Sequence, residues 1–365
     1  MSKVRSAPDP WILIATLLLL TIGVVMVYSA SAVLAFREFG DYGYYLKRQL
    51  VFAVLGIIAM YFTMNVDYWV WKKLAKPGLI VCFALLVIVL IPGIGVIRGG
   101  ARSWLGIGSL GIQPSEFMKL GMIVFMAKLL SDEQSGITRF TKGLLPPLGI
   151  MGAAFGLIML QPDLGSGAVL VGATMIIIYT AGARISHLAM LGMVGVAGFV
   201  GLIASAPYRL KRITGFLDPW QDPLGTGYQI IQSLYAIGPG GLVGLGLGMS
   251  RQKYSYLPEP QTDFIFSIIS EELGFIGGAV VLLLFMLLVW RGMRAAITAP
   301  DTFGSLLAVG IVGMIAVQVV INIGVVIGMF PVTGITLPLI SAGGSSLTLM
   351  LTALGVLLNI SRYSR

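Results

Sequence analysis

With a single cysteine, Cys82, this chain has no disulfide framework and no cysteine-based metal site. Its one histidine, His187, falls at a predicted helix end as a surface residue. No zinc motif, Walker loop, nucleophile elbow or dinucleotide fingerprint is present. Charge is scarce too: 11% of the 365 residues are charged, against about 25% in an ordinary soluble domain, which excludes a water-soluble fold. The net charge of +9 does not indicate nucleic acid, because the basic residues lie scattered at helix ends and form no stripe with aromatics. Linkers rich in Pro, Ser or charge, low-complexity tracts and internal repeats are all missing, so residues 1–365 are read as a single transmembrane domain whose short tails carry no soluble module.

What the sequence has in abundance is apolar runs, with 57% hydrophobic residues in all. A helix needs roughly 20 apolar residues to cross a hydrocarbon core of about 30 Å. Spans are predicted at 11–36, 48–64, 77–97, 115–131, 144–160, 164–181, 186–206, 263–290, 304–329 and 341–360. The expected fold is therefore all-α, a polytopic membrane bundle of about ten transmembrane helices. The first run is too long for a signal-peptide core and is retained. The 48 glycines suit close helix packing or broken helices. Lys3, Arg5, Lys72, Lys73, Lys76, Lys142, Arg291, Arg294 and Arg362 gather on one side if the N-terminus is inside, which places both termini in the cytoplasm. The stretch 207–262, ahead of the eighth span, then becomes a large extracellular loop. Within it Tyr228, Ile231, Leu234, Tyr235 and Gly238 have helical spacing, as in a short helix on the membrane surface.

Several constellations could carry chemistry. Asp263 sits where that loop enters the membrane, and at about 100° per residue Ser267, Ser270 and Gly274 share its helix face, a small and polar stripe suited to lining a cavity. The competing reading of Asp263 is an acid that complements the helix dipole. Glu271 and Glu272 lie off the stripe, where structural pairing is expected. Glu116 and Lys119, three residues apart, can pair along one helix. Arg98, Arg102 and Trp104 offer two guanidiniums for a phosphate and an aromatic platform, or else an ordinary interfacial belt. Asp163 forms an Asx-turn or caps the next helix, and the run Pro331–Ser346, with Ser345 and Ser346, sets irregular backbone at a bilayer edge.

Taken in order, Gly100-Ala-Arg-Ser-Trp104, Gln113-Pro-Ser-Glu116, Gln161-Pro-Asp-Leu-Gly165, Phe216-Leu-Asp-Pro219, Gly227-Tyr-Gln229, Gly238-Pro-Gly-Gly241, Thr262-Asp-Phe264 with Glu271-Glu-Leu-Gly274, Asn322-Ile-Gly324, Pro331-Val-Thr-Gly334 and Gly343-Gly-Ser-Ser346 resemble the SEDS family of bacteria, the FtsW, RodA and SpoVE proteins. The likeness covers nearly the whole chain and is strongest to the sporulation branch. One departure is Ala342, where the family pattern has an aromatic. The resemblance implies an inverting peptidoglycan glycosyltransferase in the bacterial cytoplasmic membrane, polymerising lipid II into glycan strands at the outer face, for spore cortex or septal wall. It implies Asp263 as the catalytic base, with Arg98, Arg102, Trp104, Arg209, Lys211, Arg212, Gln261, Thr262 and Ser267 on the substrate. Glu116, Lys119, Asp163, Glu271, Ser345 and Ser346 are then structural or cavity-lining. The partners implied are lipid II, membrane lipid and a class B penicillin-binding protein, with no nucleic acid; the metal is undefined, a divalent cation (Mg or Mn) being the one cofactor implied. A lipid II flippase and a non-catalytic scaffold for a transpeptidase are the alternatives.

Overall fold

Asp9 opens the first helix, α1 (Pro10–Phe39), by accepting from the amides of Trp11 and Ile12, and Gly40 closes it in the left-handed conformation. The chain continues as α2 (Tyr44–Asn65) and α3 (Trp69–Ile88), then a small antiparallel sheet, β1 (Gly95–Arg98), β2 (Ala101–Ile107) and β3 (Leu110–Ile112). Helices α4 (Pro114–Asp132), α5 (Leu145–Met159, entered through a π-turn at Phe140–Leu144), α6 (Leu164–Thr180) and α7 (Ile185–Ala204) follow. After a 3-10 turn at Pro219–Gln221 come α8 (Tyr228–Gly240), α9 (Ile265–Ile297), α10 (Thr302–Val326) and α11 (Gly344–Ser361). This computed structural model describes residues 6–98, 101–107, 110–132, 136–204, 216–254 and 256–363.

The protein is mainly helical, and six of its described helices are long and apolar enough to cross a membrane: α1, α2, α5 with its π-turn, α9, α10 and α11. Every expected span has a helix, yet several differ from the run that announced them. The run at 77–97 is helical only to Ile88, because Pro92, Gly93 and Gly95 break it and the chain turns into β1. That sheet is absent from an all-α expectation. Helix α4 carries Glu116, Lys119, Lys128 and Asp132, which keeps it short of the apolarity of the six.

Helices α10 and α11 form the enclosed centre, with α10 packed on α9, α6 and α4, and α11 on α2. The α2–α11 contact is close because Gly355 has no side chain; a Cβ there would lie 2.0 Å from Thr63 Oγ1. Cys82 is buried against α4 as a small residue, its Sγ 3.5 Å from Phe117 O. Outward-facing Val54, Ile58, Tyr61 and Phe62 of α2 are exposed, as lipid-facing side chains are. The short helix expected near Tyr228 is α8, but its buried face is Ile230, Ser233, Ala236 and Gly240, pressed on α9 and α10, while Tyr235 faces out.

Helix α9 begins at Ile265, so the acid at 263 precedes the membrane-crossing segment. Nine residues on, the helix breaks. Gly274 adopts φ 65°, ψ −163°, and a Cβ there would sit 2.3 Å from the amide of Gly244. The freed backbone groups exchange hydrogen bonds with the turn segment 241–246: Leu245 and Gly246 donate to the carbonyls of Glu271 and Glu272, and Phe275 and Ile276 donate to the carbonyls of Gly241 and Leu242. Irregular backbone at this depth is tolerated because protein satisfies it.

A candidate active site beside the α9 turn

Between the sheet, α2, α4, α6 and the 331–346 segment lies a cavity of about 510 Å³. It brings together Asp263, Thr262 and Gln261 from the turn before α9, Glu116 and Lys119 from α4, Asp163 at the cap of α6, Trp104 from β2 and Ser346 from α11. Residues that stand far apart in the sequence thus share one chamber.

Asp263 differs from the other acids of the chamber. Among the described residues none donates a hydrogen bond to its carboxylate, and the Cβ position of Gly334 is 3.7 Å from its Oδ2. Burial, with smaller contributions from the negative charges of Glu259 and Asp163, pushes its pKa up to about 7. The other acids are committed. Asp163 caps α6 by accepting from the Ser166 amide at 3.0 Å, and its second oxygen accepts from Gln113 Nε2 at 3.0 Å and Ser115 Oγ at 3.2 Å. Glu116 pairs with Lys119 at 2.8 Å and accepts from Ser346 Oγ at 3.1 Å. Lys119 also donates to Gln318 Oε1 at 3.3 Å.

Other expected residues lie elsewhere. Ser267 does not line the cavity: its Oγ is 2.8 Å from Ser233 Oγ, so the stripe below Asp263 faces α8, with Ser270 donating to Phe266 O. Helical geometry starts only at Ile265, two residues after Asp263, so the acid does not share the helix face of Ser267 and Ser270. Arg102 donates to Leu90 O at 3.5 Å and is turned from the chamber. Ser345 Oγ accepts from the Gln113 amide, behind the wall. Glu271 accepts from Ser250 Oγ at 2.5 Å and the Arg251 amide at 2.8 Å, while Glu272 pairs with Lys253 at 3.1 Å and accepts from Ser29. Arg98 ends β1, opposite Ala101. Arg209, Lys211 and Arg212 lie outside the described residues.

The site also contains residues that spacing does not reveal. Arg48, from α2, lines the chamber with its guanidinium 5.9 Å from the Phe52 ring centroid. Glu259 joins it from the turn, at φ 48°, accepting from Gln261 Nε2 and Thr262 Oγ1. Gln318 and Asn322 of α10 sit beneath. Gln318 has no signal in the sequence beyond a polar residue in an apolar span, whereas Asn322 stands in the Asn322-Ile-Gly324 motif without any indication of its role.

Residues 10–365 match the family described as "Cell cycle protein", FTSW_RODA_SPOVE. The chain is 64% identical over 365 residues to stage V sporulation protein E of Bacillus subtilis (strain 168), covering all of both chains. It is 47% identical to a probable peptidoglycan glycosyltransferase FtsW of Trichlorobacter lovleyi, over 97% of this chain and 93% of that one. Among solved structures it resembles a chain from work on the structural coordination of polymerization and crosslinking by a peptidoglycan synthase complex, at a TM-score of 0.81 and 33% identity, covering 98% of each. It also resembles the rod shape determining protein RodA of Thermus thermophilus, at a TM-score of 0.72 and 30% identity, covering 98% of this chain and 97% of that one.

Proposed function

Since the chain belongs to the FtsW/RodA/SpoVE family, and is with it a multi-pass membrane peptidoglycan glycosyltransferase, we propose that Asp263 is its general base and the chamber beside α9 its reaction site. The observation that carries this is a carboxylate free of hydrogen-bond donors, poised near neutral pH, in a chamber that also holds a cation.

The chemistry needs one proton acceptor and one anion holder. The 4-hydroxyl of an incoming lipid II sugar attacks the anomeric carbon of the growing glycan. A new C–O bond forms, the bond to the lipid pyrophosphate breaks with inversion, and the hydroxyl proton passes to an Asp263 oxygen. A base is most effective when its pKa lies near the working pH, and a positioned one contributes about 10²–10⁴ in rate. The departing pyrophosphate needs positive charge. Lys119 is largely neutralised by Glu116, so Arg48 is the cation placed to hold phosphate oxygens. Trp104 supplies a flat face for a sugar at the chamber wall.

A divalent cation, Mg²⁺ or Mn²⁺, is a further proposal. No group of three or more His, Cys, Asp or Glu side chains converges among the described residues, and the pyrophosphate oxygens of the substrate would themselves be ligands for such an ion. The chamber end of the bundle is proposed to face the outside, with both termini cytoplasmic. A class B penicillin-binding protein is the proposed partner, and spore cortex the proposed product, on the strength of the 64% identity. Labelled lipid II incubated with the purified protein and its partner should give a ladder of glycan strands that needs Arg48. If Arg48→Ala polymerises like wild type, the anion-holding role is lost.

A further inference from the structure

The turn that carries Asp263 is not helical, although it leads directly into α9, and its backbone shows why. Three consecutive carbonyls are already taken. Gln261 O accepts from the Ala342 amide at 2.8 Å, Thr262 O from Ser341 Oγ at 2.6 Å, and Asp263 O from Asn322 Nδ2 at 2.8 Å. These carbonyls are directed at partners outside the helix, and helical geometry begins only at Ile265.

Asn322 is central to this arrangement. It is 1% exposed, and its Nδ2 also donates to Ile335 O at 2.7 Å. Both partners are carbonyl acceptors, so the amide must present its NH₂ to them, and its Oδ1 has no partner among the described residues. One turn earlier on the same face, Gln318 Nε2 donates to Thr336 O at 3.0 Å while its Oε1 accepts from Lys119. Two neighbouring carbonyls of the 331–341 segment are thereby fixed by two neighbouring amides of α10. Gln49 of α2 adds a third brace, donating to Ser341 O at 3.3 Å and accepting from the Gly343 amide at 3.4 Å. The side chains that hold the turn also hold the segment across from it.

We propose that Asn322 is a positioning residue for glycan polymerisation: by tying the Asp263 carbonyl to the Ile335 carbonyl, it sets the reach and direction of the Asp263 carboxylate across the chamber. The proposal rests on the reading of Asp263 as base. It makes the α10 amide pair part of the catalytic geometry, beyond its place in helix packing. The irregular segment 331–341 becomes a splint between the acid and the Glu116–Lys119 pair. The departure at Ala342 does not disturb the splint, since the contact there uses a backbone amide.

Asn322→Asp tests it, because the replacement is nearly isosteric yet can donate to neither carbonyl when ionised and to only one when protonated, so the tie between the two is broken. The full-length protein, purified with its partner, is assayed over a range of labelled lipid II concentrations, with rates divided by the amount of folded protein. A misplacement of about 1 Å at a reacting group costs about 100-fold. The expected result is a kcat lower by about 10- to 100-fold with KM within about twofold of wild type. A role in folding alone would lower the yield of folded protein and leave its kcat unchanged, and that result overturns the proposal, as does a raised KM at unchanged kcat. Where Asn322→Asp does not assemble, Ser341→Ala decides: it removes the Thr262 clamp together with the acceptor of the Leu337 amide within the segment, and should lower kcat at constant KM, whereas a wild-type kcat refutes the splint. Asp263→Asn is run in parallel. If it still polymerises, the base assignment has failed; if it is inactive while both splint variants keep wild-type kcat, only the positioning proposal has failed.

Discussion

Replacing Asp263 with Asn should make the protein more stable while abolishing its activity. In the folded chain burial raises the carboxyl pKa from 3.8 to about 7, with Glu259 and Asp163 adding to the rise. A group whose folded pKa lies above its unfolded value favours the native state fully below pH 3.8, and that contribution is lost as pH rises through about 7. At about 1.4 kcal/mol for each tenfold change in the proton equilibrium, keeping the carboxylate ionised above pH 7 costs up to about 4 kcal/mol. Water in the chamber lowers that figure, since Asp263 is only partly shielded from solvent. Asn removes the ionisation at nearly the same volume. The expected outcome at pH 8 is a detergent-solubilised variant with a higher unfolding temperature than wild type, the difference vanishing toward pH 4. Its glycan ladder from labelled lipid II should be missing, in keeping with loss of a base worth about 10²–10⁴ in rate. For wild type, polymerisation should rise with pH through about 7 and then level. Long glycan strands from Asp263→Asn would refute the base assignment, and an unfolding temperature that falls at pH 8 would refute the burial argument.

Three other outcomes follow from the same structure. Trp104→Ala should weaken lipid II use more than Trp104→Phe, which keeps a flat ring at the chamber wall; equal activity of both with wild type would make Trp104 an ordinary interfacial aromatic. Glu272→Gln should lower stability by about 3–5 kcal/mol, because it leaves Lys253 buried and unpaired, with kcat per folded molecule little changed; thermal unfolding and the lipid II assay on one sample separate the two. A cysteine at Asp222, in a Cys82→Ser background, should react with an impermeant thiol reagent on intact cells, and protection there would reverse the proposed orientation.

The helices were largely legible because lipid demands long apolar runs, and each run from 11–36 to 341–360 has its helix. The β1–β3 sheet was not, since the apolar run at 77–97 reads straight through Pro92 and Gly95 into what is in fact β1. In the site, Asp263 was found from its position at the membrane edge together with its family motif. Its helix-face partners were misplaced, because face counting presumes a helix and this acid lies before one. Arg48 left no local trace: it stands at the start of α2, far from any motif, and reaches the chamber only through the packing of α2 on α11.

That last point separates two kinds of polar residue around α9. Glu271 and Glu272, inside the helix, have a donor on each of their oxygens, from Ser250, Arg251, Lys253 and Ser29, and their neighbour Gly274 lets segment 241–246 dock into the break. Both carboxylates are held in place by these bonds, and the charge of Glu272 is balanced by Lys253 where it stands. At Asp263 the arrangement is opposite. Three successive carbonyls of the turn are tied to partners, while no described residue donates to the Asp263 side chain. Fixing the main chain and leaving the carboxylate open gives the proposed base a defined direction and an available lone pair. The acids of α9 thus differ in which part of the residue the fold has tied down, a distinction that appears only once the 331–342 segment is folded across the turn.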